Sequence, residues 1–198
     1  IYTGEDTLSL HDALPILNKP LDVLVTTFDK QGRKIIYDLP SLKHPSLPRL
    51  MNVGRLDINS EGLLMMSSDG PLAQAMMSPD IALERVYRVR VHGRLSPGEI
   101  EKLRKGVTTQ GVKYRGVKVT EDRAPTGKNC WYTIVLTEGK NREIRKLMEH
   151  FGCVVNRLIR VSYGPFQLRD LPIGALREVS KKQVEALIAD LKERGAKL

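Results

Sequence analysis

The chain reads as an α+β fold with a mixed, largely antiparallel sheet, and three observations point there. Strand-like and helix-like segments follow one another without a regular βαβ rhythm. Residues 86–92 alternate apolar and polar side chains with period two, as a half-buried strand does. The run Ser96-Pro97-Gly98-Glu99 carries a complete helix-start signal, so whole helices stand between the strands. With 198 residues and 41% hydrophobic content, the chain can bury one sizeable core, arranged in two lobes.

Element by element, residues 1–16 show neither periodicity nor a start methionine and are set apart from the functional reading. Residues 21–27 are β-branched and apolar enough for a buried strand, and Asp29-Lys30-Gln31-Gly32 turns the chain after it. Pro40, Pro45 and Pro48 make residues 39–48 a loop. Two short apolar runs follow, residues 50–53 and 63–66. Asp69-Gly70 is a turn, and Pro71 suits the first turn of a helix over residues 72–77. On the strand over residues 86–92, Arg88, Arg90 and His92 take the solvent face. The helix begun at Ser96 stops at Gly106, and strands are expected over residues 117–119 and 131–136.

Asn141 is expected to cap a helix over residues 142–150, with Ile144, Leu147, Met148 and Phe151 as its apolar stripe. Residues 154–155 and 158–161 continue in extended form. The last element is an amphipathic helix from Lys181 to about Arg194, where Val184, Leu187, Ile188 and Leu191 share one face.

Composition narrows the function. Lys and Arg total 32 against 23 Asp and Glu, a formal net charge of +9, which favours a polyanionic partner. The charge is clustered: residues 85–118 hold ten Lys or Arg against Glu99 and Glu101, and residues 140–160 hold six against Glu143 and Glu149. Both clusters interleave with apolar residues, so the charges line ordered elements able to track phosphates. Cys130 and Cys153 have no CxxC spacing, and His11, His44, His92 and His150 are scattered, so no metal is called for. Neither a membrane-length apolar run nor a secretory signal is present in the sequence, and a reducing, cytoplasmic setting fits.

One segment stands out for chemistry. Gly54 and Gly62 bracket a polar loop between two apolar runs, which places Asp57 on a turn at the sheet edge. Asp57, Asn59, Glu61 and Gly62 match the opening of an EF-hand loop, but Ser68 stands where the bidentate glutamate must be, and calcium is excluded. Two readings remain open on spacing alone. Asp57 either forms an Asx turn with Arg55 paired beside it, or is a catalytic carboxylate kept ionised by a nearby cation.

Motifs spread along the chain resemble the RsuA/RluB family of RNA pseudouridine synthases, over about residues 17–180. They are Asn18-Lys19-Pro20, Gly54-Arg55-Leu56-Asp57 through Gly62-Leu63-Leu64, and Tyr87-Arg88-Val89-Arg90-Val91. Downstream come Glu138-Gly139-Lys140-Asn141-Arg142-Glu143-Ile144-Arg145-Lys146-Leu147, Arg157-Leu158-Ile159-Arg160-Val161, and Tyr163-Gly164-Pro165-Phe166 with Leu171-Pro172. Three positions depart from the family pattern: Asp22 stands for glycine, Ser60 for threonine and Arg85 for lysine.

The resemblance implies the pseudouridine synthase fold, two lobes with flanking helices and a central cleft. It implies Asp57 as the catalytic aspartate, Tyr87 against the target uracil, and Arg145 as the basic partner of the aspartate. Arg55, Arg88, Arg90, Lys140, Asn141, Arg142 and Arg160 are expected to contact RNA. The implied partner is ribosomal RNA, of the large subunit by likeness to the RluB branch. No cofactor, metal or membrane is expected, and the chain is expected to act as a monomer. Residues 17–180 form the expected catalytic domain, with 1–16 an unmatched segment and 181–198 a terminal helix. Family members carry an S4 RNA-binding domain ahead of the catalytic one, and here only sixteen unmatched residues precede Leu17. The contrasting function is an RNA-binding assembly protein that keeps the fold without activity. Retention of Asp57, Tyr87 and Arg145 together speaks for the enzyme.

Overall fold

The computed structural model describes residues 14–122 and 128–198. Two compact units are present: one reaches to Ile81 and resumes over Leu168–Leu198, the other spans Ala82–Gln167. The first unit begins with β1 (Ile16–Lys19), β2 (Met51–Val53), β3 (Glu61–Ser67) and α1 (Gly70–Met77). The second holds β4 (Arg85–His92), α2 (Pro97–Lys105), β5 (Val107–Thr109), β6 (Val112–Tyr114) and β7 (Lys118–Glu121). It continues through β8 (Asn129–Leu136), α3 (Glu143–His150), β9 (Val154–Tyr163) and β10 (Phe166–Gln167). The chain then returns to the first unit with β11 (Leu176–Arg177) and α4 (Lys181–Glu193).

In the first unit, β1 lies antiparallel between β11 and β3, and β3 also pairs antiparallel with β2. Every residue of β3 is buried, which is why residues 63–66 read as a continuous apolar run without alternation. Asp69 caps α1 by accepting the Leu72 N–H at 2.9 Å, and Pro71 fills the first turn where no donor is needed. Leu72, Ala73 and Met76 of α1 are buried, as are Val184, Leu187 and Leu191 of α4, and the two helices pack together. The terminal helix thereby joins this unit's core.

The second unit is an antiparallel sheet in the order β10-β9-β4-β8-β7, with a separate β5–β6 hairpin. Along β4 the alternation is complete: Tyr87, Val89 and Val91 are buried while Arg88, Arg90 and His92 are exposed. Ser96 and Glu99 form the expected capping box on α2. Gly106 ends that helix at φ 96°, and a Cβ there would sit 2.7 Å from the Tyr114 carbonyl oxygen, so only glycine fits. Arg85, the residue in the lysine position, is buried. It donates to Tyr163 Oη at 3.1 Å and to the Leu83 and Thr137 carbonyls, both at 3.3 Å. A guanidinium can satisfy all three at once through its fork of donors.

Three expectations are corrected. Residues 21–27 form no strand: Pro20 lacks the ladder donor, Asp22 turns at φ 57°, and Leu24 makes only an isolated bridge to Ile35. The strand lies one step earlier as β1, so the segment set apart as 1–16 already contributes Leu14 and Ile16 to the core. Asp22 thus takes a left-handed φ that glycine adopts without strain, in keeping with the glycine the resemblance implies there. Asn141 does not cap α3. Arg142 takes the cap position at φ 52° with no side-chain bond to the helix N-terminus, and the Glu143 carboxylate turns back to accept the Lys140 N–H at 3.0 Å.

Candidate active site

In the first unit, the segment around Asp57 is a tight turn set on a buried amine. Gly54 leaves β2 at φ 72°, and its carbonyl accepts the Asn52 side-chain amide at 2.8 Å. Leu56 is buried and anchors the loop, and the Asp57 carbonyl closes a turn by accepting the Ser60 N–H at 3.0 Å. Asp57 itself is half-buried.

Lys19, the last residue of β1, is fully buried opposite Gly62. Its Nζ donates to the Pro20 and Ser60 carbonyls, each at 2.8 Å, and to the Ile58 carbonyl at 3.4 Å. All three donors of the ammonium are used, and two of the acceptors belong to the Asp57 turn. Burial lowers the Lys19 amine to about 8, against the opposing pull of the Asp22, Asp57 and Glu61 carboxylates. A buried lysine among acids thus holds the turn in one geometry and places positive charge near Asp57. In the sequence Lys19 stands only as part of a motif. The signal that marks it is a lone charge closing an otherwise buried run just before a proline.

In the second unit, Tyr87 points to the buried face of β4, in register with Ile134 on one side and Arg160 on the other. A bulge between Val86 and Tyr87 shifts the β9 register there, a device that re-aims side chains next to functional sites. Arg160 is buried, with its guanidinium 5.2 Å from the centre of the Tyr163 ring. Arg145, on α3, is half-buried and donates to the Val155 carbonyl of β9 at 3.1 Å, which orients its guanidinium.

The other expected RNA contacts divide by exposure. Arg55, Asn141 and Arg142 are exposed. Lys140 is exposed too, but its amine is taken up by Glu138 at 2.7 Å, the Lys113 carbonyl at 2.7 Å and the face of Tyr114. Arg88 and Arg90 lie on the face of β4 opposite Tyr87. Among the described residues, no three of His, Cys, Asp and Glu gather where a metal could be held, and no helix is long and apolar enough to cross a membrane.

Glu143 gives a pH prediction. Its carboxyl is buried beside Glu138, and burial first, then that neighbouring charge, push it up to about 7 from an ordinary 4.5. Between those values the native state binds more protons than the unfolded chain, so this group's contribution to stability falls as pH rises from 4.5 to 7. Glu143→Gln keeps an acceptor for the Lys140 N–H and removes the titration. Its melting temperature should gain on the parent's steadily across that window. Parallel curves for the two proteins would show that Glu143 titrates in its ordinary range.

A sequence profile described as RNA pseudouridylate synthase matches residues 13–150. A Pseudomonas aeruginosa protein named ribosomal large subunit pseudouridine synthase B is 40% identical over 174 residues, 87% of this chain and 44% of that protein. An uncharacterized RNA pseudouridine synthase of Rickettsia bellii is 40% identical over 167 residues, 84% of this chain and 70% of that protein. The chain thus spans under half the length of the first relative. A crystal structure of a pseudouridylate synthase shares the fold, with a TM-score of 0.76 at 21% identity, covering 89% of this chain and 74% of the other.

Proposed function

The chain belongs to the RNA pseudouridylate synthase family, and on that premise we propose that it isomerises a uridine of large-subunit ribosomal RNA to pseudouridine. The observation that carries this reading is the Asp57 turn, clamped by a fully buried Lys19 through the Ile58 and Ser60 carbonyls. A half-exposed carboxylate on a rigid turn suits a reacting group better than a flexible surface acid. The likeness to the pseudomonad large-subunit enzyme supports the choice of RNA.

The reaction breaks the N1–C1′ bond, rotates the freed uracil, and joins C5 to C1′. The C5 proton leaves and N1 takes one up, so substrate and product have the same composition. In this proposal Asp57 acts at the ribose, as nucleophile at C1′ or as base at C2′. Tyr87 supplies a flat face for the unstacked uracil and a hydroxyl for proton transfer at C5. By the resemblance, Arg145 supplies the positive charge of the catalytic set. Arg55, Asn141 and Arg142, with the Lys140 segment, hold the RNA backbone, whereas Arg160, expected there too, is buried against Tyr163 and takes no part in that contact. The enzyme works as a monomer in the cytoplasm.

Carbodiimide mapping of pseudouridine after incubation with large-subunit ribosomal RNA tests the activity directly. A new modified position supports the reading, and an unmodified RNA bound with high affinity overturns it. Within that assay, Tyr87→Phe keeps the ring and loses the hydroxyl. We expect kcat to fall about a hundredfold with KM nearly unchanged. An unaltered kcat would remove proton transfer from Tyr87.

A further inference from the structure

We propose that residues 23–35 of the first unit form a base-stacking finger. Phe28 is the platform for an unpaired base of the substrate RNA, and Lys30 and Lys34 contact the phosphates beside it. The proposal rests on the RNA-modifying function just given. A single exposed apolar side chain is ordinary on a protein surface, so exposure by itself assigns nothing. What sets Phe28 apart is an aromatic ring 71% exposed on a backbone that is fixed from both sides.

The Thr26 hydroxyl donates to the Phe28 carbonyl at 2.9 Å and accepts the Phe28 N–H at 3.3 Å. Just beyond, the Asp29 carboxylate accepts the N–H groups of Gln31 at 3.2 Å and Arg33 at 2.9 Å. It also takes two donors of the Arg33 guanidinium, at 2.7 and 3.1 Å. The loop closes where the Leu24 N–H donates to the Lys34 carbonyl and the Ile36 N–H to the Leu24 carbonyl, both at 2.9 Å. A ring with only two side-chain torsions, on a backbone held this way, loses little freedom when a base stacks on it.

The same bonds set the charge. Arg33 neutralises Asp29, whose carboxyl its hydrogen bonds hold down at about 2. Lys30 and Lys34 are exposed and pair with no carboxylate among the described residues. An exposed aromatic between two cations fits single-stranded RNA, the ring taking a base face and the amines the phosphates. A protein partner would need about 800 Å² on each side, and the exposed residues around Phe28 in the chain (Thr27, Lys30, Gln31, Arg33 and Lys34) are all polar. The finger is also rooted at the candidate site, because the Asp22 N–H donates to the Ile58 carbonyl of the Asp57 turn at 2.9 Å. The chain from Asp22 to Phe28 spans at most about 20 Å, the length of about six stacked nucleotides, so the base on Phe28 is a near neighbour of the target uridine.

The test uses the full chain and a large-subunit ribosomal RNA transcript, with equilibrium binding measured across a potassium chloride series. Phe28→Ala should weaken binding about tenfold at every salt concentration with the salt slope unchanged, because a stacked base releases no counterion. Phe28→Trp should bind at least as well as the parent, and Phe28→Leu should behave like the alanine variant, since leucine is apolar without a π-face. Lys30→Gln/Lys34→Gln should instead lower the slope of log affinity against log salt by about 1.4, the value for two phosphates of a single strand. All four variants should melt with the parent, because the side chains they change are exposed. Parent-like affinity in Phe28→Ala overturns the proposal. Parent-like affinity in Phe28→Leu does so too, since it would make the contact apolar docking and not stacking, and so does an unchanged slope in the lysine pair. The readout is binding and is independent of turnover. A parent chain that binds RNA without modifying it fails the isomerase reading and leaves the finger standing, whereas an active chain whose Phe28→Ala variant binds like the parent fails the finger alone.

Discussion

Asp57→Asn is expected to lower isomerisation at least about a thousandfold while leaving RNA affinity within about 0.5 kcal/mol of the parent. The amide matches the carboxylate in size, and the turn it sits on is held by main-chain atoms. The Asp57 carbonyl still accepts the Ser60 N–H, and Lys19 still binds the Ile58 and Ser60 carbonyls. What the amide lacks is the negative charge needed to attack C1′ or to take a proton at C2′. Carbodiimide mapping gives the rate and filter binding gives the affinity. A variant that retains more than about one hundredth of the parent's rate would take the reacting role away from Asp57. A variant that loses binding and rate together would make Asp57 a structural residue of the turn.

Lys19→Met should destabilise the protein by about 3 kcal/mol, which corresponds to a melting temperature lower by roughly 6–12 °C for a chain of this size. Methionine fills similar space, but three carbonyls lose their donor and the carboxylates of Asp57 and Glu61 lose a compensating charge. Relief from burying an ammonium offsets part of the loss, as the lowering of the amine to about 8 indicates. The unfolded chain, with its lysine near 10.5, holds more protons than the native state between pH 8 and 10.5. Lys19 therefore makes stability rise with pH in that window, and the methionine variant should lose this rise. Thermal melts at several pH values measure both effects. A melting temperature within about 2 °C of the parent's would mean that the turn stands without the amine.

Much of this protein was legible in its sequence because the rules involved act over a few residues. The Ser96–Glu99 capping box, the Pro71 helix start, the Gly106 stop and the alternation of β4 each depend on neighbours in the chain. Local rules failed where a local choice had competitors. Residues 21–27 have strand propensity, yet the pairing partner of β3 is β1, and Asp22 turns the following segment away from the ladder. Asn141 is a good cap in isolation, but Glu143, two residues further along, reaches back to the Lys140 N–H and Arg142 takes the cap position.

The sequence by itself determined the fold class, the faces of the strands and helices, and the turn that carries Asp57, since each follows from periodicity and turn chemistry. Only the tertiary structure decided what Lys19 does, because its acceptor at Ser60 lies 41 residues away and no local pattern reports it. Only the tertiary structure set Arg157 beside Arg90, since β9 reaches β4 through a register shifted by bulges. In both cases the partners are brought together by burial of apolar strands, a driving force without direction, and the polar pairing that results depends on where those strands finally pack.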